Sequence, residues 1–205
     1  MYNRSIKASD SKRCNTKSDT YRIGILYNRK KKTMNTIEAI STRASTKGYT
    51  DRMPTEDDLN TIITAGLRAA SGRNMQAPII VAITNKEIRD KLAMANASIM
   101  GASADPFYNA PAVLVVLSRK EAHTYVYDGS LTLGNMMLAA HELGLGSCWV
   151  HRAREVFEMP EWKDWLKSLG IEGELEGIGN LIVGYPKDSI PPVKPTKDGR
   201  VFFVK

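Results

Sequence analysis

Two short clusters hold side chains suited to gripping an anion and a heterocycle. Arg43-Ala44-Ser45-Thr46-Lys47 sets two cations around hydroxyl groups. Arg43 and Lys47 supply positive charge, while Ser45 and the loop amides supply donors, and these together meet the needs of a phosphate dianion. A solvated charged loop would read the same way, and Lys47 is a point charge without the bidentate fork of an arginine. Ser71-Gly72-Arg73-Asn74-Met75-Gln76 lies between a helical stretch and a strand. Asn74 and Gln76 carry donors and acceptors together, matching the mixed edge of a heterocycle. The alternative is an ordinary turn with Asn74 in an unusual backbone conformation. His123, His141 and His151 have no metal-ligand spacing, so no metal site is expected. His141 reads as a helix histidine hydrogen-bonded locally. A Cys148–His141 nucleophile pair lacks a third group to orient it. Walker and GxGxxG phosphate turns are both absent.

The elements that must position these clusters centre on Asp128–Arg152. From Leu131 to Leu143 the chain is apolar nearly all round, which predicts a helix buried on every side. Asp128 is placed at its start. Gly144 is suited to end it, because glycine tolerates the left-handed conformation beyond a helix C-cap. Past Gly146 the pattern becomes strand-like over Ser147–His151. Such a turn presents backbone N–H groups beside a sheet, a common place to hold a flat cofactor. Elsewhere the spacing predicts a short helix over Thr36–Thr42 and a helix capped by Thr55 and running to about Ala70. A strand over Ile79–Thr84, a helix over Lys86–Met100 and a strand over Ala112–Leu117 follow. Phe157–Leu169 reads as one amphipathic helix with Pro160 in its first turn, and Gly177–Tyr185 as a strand. Strands interspersed with helices give an α+β or α/β sandwich.

The net charge of +7 suggests nucleic acid at first sight, but its distribution removes that reading. Ten of the 29 basic and two of the 22 acidic residues fall within residues 1–33, leaving 19 basic against 20 acidic in the rest. The body is close to neutral, so no nucleic-acid partner is expected. Residues 1–33 show no sustained period and read as a basic, disordered N-terminal extension, although Tyr21–Tyr27 could form a short strand. A targeting arm, or an upstream extension before Met34, are the competing readings. Two cysteines, Cys14 and Cys148, fit no disulfide framework and suit a reducing compartment. No apolar run approaches the ~20 residues that span a bilayer, and no secretory signal core is present. A soluble cytoplasmic protein without a membrane partner is the expectation. At the far end, Val201–Val204 is an apolar terminus to a Pro- and Lys-rich stretch, and it needs either a partner subunit or an edge of its own sheet.

The order of these pieces carries more than any one of them. RASTK, then SGRNMQ, then DGSLTLGNMMLAAHELGLGSCWV, then LIVGYP, then a basic C-terminal segment resembles the nitroreductase superfamily of flavin-dependent oxidoreductases. The resemblance covers residues 34–205 and is most specific in ELGLGSCWV. The family's Arg-x-Ser-x-Arg is matched by Arg43, Ser45 and Lys47, with lysine in the last place. Its Ser-x-x-Asn-x-Gln loop is matched by Ser71, Asn74 and Gln76, with Ala70 where proline is usual and Ala77-Pro78 where Pro-Trp is usual.

The resemblance implies a three-layer α+β sandwich, its mostly antiparallel central sheet flanked by helices, with FMN at a homodimer interface. Arg43, Ala44, Ser45 and Lys47 would hold the FMN phosphate. Asn74 and Gln76 would touch the ribityl chain and ring. Trp149, Val150 and His151 would lie against the ring, largely through backbone groups. Lys197 and Arg200 are candidates for closing the phosphate site. The implied activity is ping-pong hydride transfer from NAD(P)H through FMN to a small acceptor such as a nitroaromatic or quinone. The flavin carries that chemistry, so no side chain is assigned as catalytic. The alternatives are a non-enzymatic flavin-binding protein, or a flavin-dependent dehydrogenase or dehalogenase on the same scaffold. Acceptor access would be shaped by the Gly101–Pro111 loop.

Overall fold

The computed structural model describes residues 34–205. The expectations for the N-terminal extension, including the Tyr21–Tyr27 strand and Cys14, lie outside the described residues.

Three of the helices start at side-chain caps. Asn35 Oδ1 accepts from Glu38 N at the start of α1 (Thr36–Thr42), Thr55 Oγ1 from Asp58 N at α2 (Glu56–Leu67), and Asn85 Oδ1 from Ile88 N at α3 (Lys86–Met100). The remaining helices are α4 (Tyr125–Glu142), α5 (Ala153–Glu158) and α6 (Pro160–Ser168). The strands are β1 (Pro78–Ile83), β2 (Ala112–Arg119), β3 (Gly146–Val150) and β4 (Leu175–Gly184), joined in the order β1-β2-β4-β3 with every pair antiparallel.

β2 and β4 occupy the middle of the sheet and are buried on both faces, so both faces must be covered. Alternation along β2 sends Val113, Val115 and Leu117 to one side, with Leu92 of α3, Val156 of α5 and Leu166 of α6. Ala112, Leu114 and Val116 face the other side, with Ile62 of α2 and Leu133 and Met136 of α4. The result is the expected three-layer α+β sandwich. Among the described residues no helix is long and apolar enough to cross a membrane, and no acidic, histidine and cysteine cluster could hold a metal ion.

Several boundaries differ from the sequence pattern. α2 stops at Leu67, because Ala69 N bonds Gly66 O in a tightened last turn before the Ser71-Gly72 turn begins. α4 begins at Tyr125, so Asp128 sits inside its first turn rather than at its start. The single helix expected over Phe157–Leu169 is two. Met159 is extended (φ −67, ψ 138) between α5 and α6, since Pro160 disfavours helical backbone in the residue before it. Pro160 does open α6, in its first turn. The outer face of α4 is not buried within one chain: Tyr127 is 72% and Leu131 51% exposed. Residues 187–205 add no strand to the sheet, and Val201–Val204 are 73–100% exposed, so the apolar terminus does not pack as an edge strand.

Candidate functional site at the sheet edge

Arg43 is the C-cap of α1 and already extended (φ −63, ψ 129). The chain then runs beside β3: Thr46 N donates to Ser147 O at 3.1 Å, Ser45 bridges Ser147 in parallel, and Tyr49 bridges Pro186. Arg43–Lys47 is therefore stitched to the exposed edge of the sheet. Gly146 makes the approach possible, because a Cβ there would lie 2.8 Å from Thr46 Cβ. From below, Tyr49 OH donates to Thr46 O at 2.8 Å. Burial pushes the Tyr49 phenol far above its ordinary range, with the nearby Cys148 and Tyr108 adding to the shift, so it stays a proton donor.

Two polar atoms of this segment, Arg43 Nη1 and Thr46 Oγ1, are buried without a hydrogen-bond partner. Buried donors left in that state are costly, and a guanidinium N–H more than a hydroxyl. Ser45 is exposed. Lys47 is exposed too, its Nζ 5.6 Å from the Tyr108 ring centroid. Tyr108 belongs to the loop between α3 and β2. Asp105 organises that loop by accepting from Phe107 N and Asn109 N, and buried Arg89 ties it to α3 by bonding Asp105 and Ala110 O. The loop expected to shape acceptor access thus touches the basic cluster.

The Ser71–Gln76 turn is built differently. Arg73, Asn74 and Gln76 all have left-handed backbone, φ 51, 53 and 49, so the unusual conformation expected of Asn74 is present and shared. Such residues cost about 1–3 kcal/mol each and persist only where surroundings hold them. Here Asp128, buried in α4, accepts from Gly72 N at 3.1 Å and from Thr124 Oγ1 at 3.0 Å. Ser71 Oγ accepts from Gln76 N, and Gln76 Nε2 donates to Asn74 Oδ1, both at 3.1 Å. Asn74 and Gln76 remain exposed.

At the end of β3, the Trp149 indole lies against Gly179 and its Nε1 is buried without a partner. Val150 is buried. His151 exposes its ring, while its carbonyl accepts from Asn96 Nδ2 at 2.9 Å. Lys197 and Arg200 are exposed, outside any helix or strand. His141 is not bonded locally as expected. Its Nε2 lies 2.8 Å from Thr42 Oγ1 on α1, 99 residues away.

One chain does not bring the two clusters together. Asp128 holds the Ser71–Gln76 turn near the start of α4, and His141 meets α1 near its end, about 20 Å further along at 1.5 Å per residue. Across the sheet, the turn leads into β1 while the basic cluster lies on the outer side of β3, four strand spacings or about 19 Å apart. Sequence reading missed Asp128 as the anchor of the turn, Thr46 as a buried donor and Tyr108 beneath Lys47. An acid in the first turn of a helix was the only signal for the first, and nothing local signals the others.

These features define an α+β protein with a candidate anion site along the β3 edge. The model of the Nitroreductase family matches residues 40–106 and 95–185. The chain belongs to this family. An Archaeoglobus fulgidus protein provisionally named NADH dehydrogenase/NAD(P)H nitroreductase is 31% identical over 158 residues, covering 74% of this chain and 86% of its own length. The NADPH-flavin oxidoreductase of Vibrio harveyi is 28% identical over 179 residues, covering 78% of this chain and 69% of its own. A crystal structure of a Bacteroides fragilis nitroreductase with bound FMN superposes with a TM-score of 0.74 at 27% identity, covering 82% of this chain and 98% of that one.

Proposed function

We propose that this protein is an FMN-dependent oxidoreductase that takes hydride from NAD(P)H and reduces a small acceptor, such as a nitroaromatic or a quinone, by a ping-pong cycle. The observation that carries the assignment of the site is the buried, unpartnered Nη1 of Arg43 on the sheet edge of a chain of this family. Arg43 and Thr46 are donors held ready for an anion, and Ser45 and Lys47 add a hydroxyl and a charge beside them. A terminal phosphate suits this small cluster. A pyrophosphate would call for the glycine turn that the sequence lacks. The flavin, when bound, supplies the redox chemistry; the chain binds it, orients it and limits what reaches it.

The separation of the two clusters supports a homodimeric site. Asn74 and Gln76 cannot contact the ribityl chain of a flavin whose phosphate sits on Arg43 of the same chain. A second copy bringing its own turn to the β3 edge meets the requirement. Trp149, Val150 and His151 line the ring through backbone groups in this reading, since the Trp149 indole faces Gly179 and Val150 is buried. The exposed face of α4 around Tyr127 and Leu131 is an apolar surface suited to that contact.

The test is direct. The purified protein is expected to be yellow, to release FMN rather than FAD on denaturation, and to bleach when NAD(P)H is added without oxygen. Bound FMN that NAD(P)H leaves oxidised would make it a flavin-binding protein without this activity. Absence of flavin after reconstitution would refute both.

A further inference from the structure

The Thr42 hydroxyl lies 2.7 Å from Glu38 O and 2.8 Å from His141 Nε2. A hydroxyl has one proton, and a carbonyl oxygen only accepts. Thr42 donating to Glu38 O leaves its oxygen free to accept from His141, the arrangement that goes with the Nε2–H tautomer of the imidazole. His141 is buried in the last turn of α4. Burial, and after it the charge of Arg43, lowers its pKa below the ordinary value of 6.5, so a neutral ring makes this bond. Arg43 is the charged group whose field reaches the ring, while Glu38 lies on α1 and Glu142 follows His141 in α4.

Arg43 follows Thr42 directly and is the residue at which α1 turns into the extended edge segment. Its Nη1 makes no hydrogen bond, so that nitrogen does not anchor the side chain. The bond from His141 to Thr42 ties the end of α1 to the end of α4 one residue before Arg43 departs. We propose that His141 is a positioning residue of the phosphate site, acting through Thr42 to set the direction in which Arg43 reaches the anion. The proposal rests on the reading that Arg43 binds the FMN phosphate. It asks for a neutral N–H donor at position 141 and not for a charge.

FMN dissociation from the full-length protein, followed by recovery of free-flavin fluorescence on serial dilution, tests it. His141→Leu is expected to weaken FMN binding about fivefold, the scale of one neutral hydrogen bond. His141→Gln, which keeps a neutral N–H donor, is expected to stay within about twofold of the parent. Thr42→Val should weaken binding as much as His141→Leu, and the double variant no more than either, because both remove the bond the two residues share. A Gln variant as weak as the Leu variant, or additive losses in the double variant, would overturn the proposal. Should His141→Leu fail to fold, Thr42→Val and His141→Gln still decide the matter. Arg43→Ala is the control. If it weakens FMN binding while Thr42→Val and His141→Leu do not, the positioning role is wrong and the phosphate site stands. If Arg43→Ala has no effect, the phosphate site itself is wrong and the proposal falls with it.

Discussion

Replacing the two cations of the edge cluster separately should have unequal effects. Arg43 leaves α1 at its C-cap with Nη1 buried and unpaired, so a phosphate there would gain a charge-assisted bond in a place shielded from water. Such bonds are worth about 1.5–3 kcal/mol each, so losing one weakens binding about 10- to 150-fold. Lys47 is exposed, its Nζ resting 5.6 Å from the Tyr108 ring, and solvent screens it. Exposed ion pairs contribute about 0.2–1 kcal/mol, or no more than about fivefold. Arg43→Ala is therefore expected to cost at least about twice as much FMN affinity as Lys47→Ala. Fluorescence titration of the flavin-depleted protein measures both, and a thermal melt of each variant guards against a folding artefact. Equal losses, or a larger loss for Lys47→Ala, would refute the argument from burial. Parent affinity in Arg43→Ala would place the phosphate elsewhere.

Gly146→Ala should lower stability by about 1–3 kcal/mol and weaken FMN binding, because the new methyl meets Thr46 Cβ at 2.8 Å and pushes the edge segment away from β3; a melt and a titration together check it, and an unchanged titration would uncouple the edge segment from flavin. Deleting Lys197–Lys205 removes the exposed Val201–Val204 terminus and is expected to lower both the dimer fraction and the flavin content, read by light scattering and absorbance; a truncated dimer with full FMN would free the terminus of both roles. Acid should act on His141 before it reaches the carboxylates. Its folded pKa lies below 6.5, so the unfolded chain binds more protons just under pH 6.5, and stability present above that pH falls as pH drops toward the folded value. Melting temperature is thus expected to decline as pH falls below 6.5 in the parent and less so in His141→Gln.

What could be read from the sequence was local. The glycine after α4, with φ +76 at Gly144, and the strand that follows were legible because glycine alone tolerates that backbone cheaply. The basic cluster was legible because charge and hydroxyls lie within five consecutive residues. The break at Met159 was hidden by apolar periodicity that continues across it, and Pro160 was expected in the first turn of one helix from Phe157, whereas it opens a second helix. The bond between His141 and Thr42 was illegible, since 99 residues separate the partners and His141 alone reads as a histidine bonded within its own helix. Asp128 was read as a helix start for a similar reason. Its carboxylate serves Gly72, far back in the chain, and only the fold reveals that.

α4 holds the Ser71–Gln76 turn through Asp128 at one end and meets the Arg43 segment through His141 at the other. If the turn of each copy serves the flavin of its neighbour, the two ends of one helix belong to two different sites. A chain damaged at Arg43 and a chain damaged at Asn74 would each form homodimers with two faulty sites. Mixed in one dimer, they would gather both faults in a single site and leave the other whole. The two defective alleles would then complement each other, restoring up to half of the flavin capacity per mixed dimer, which is a genetic signature of a ligand site split between chains.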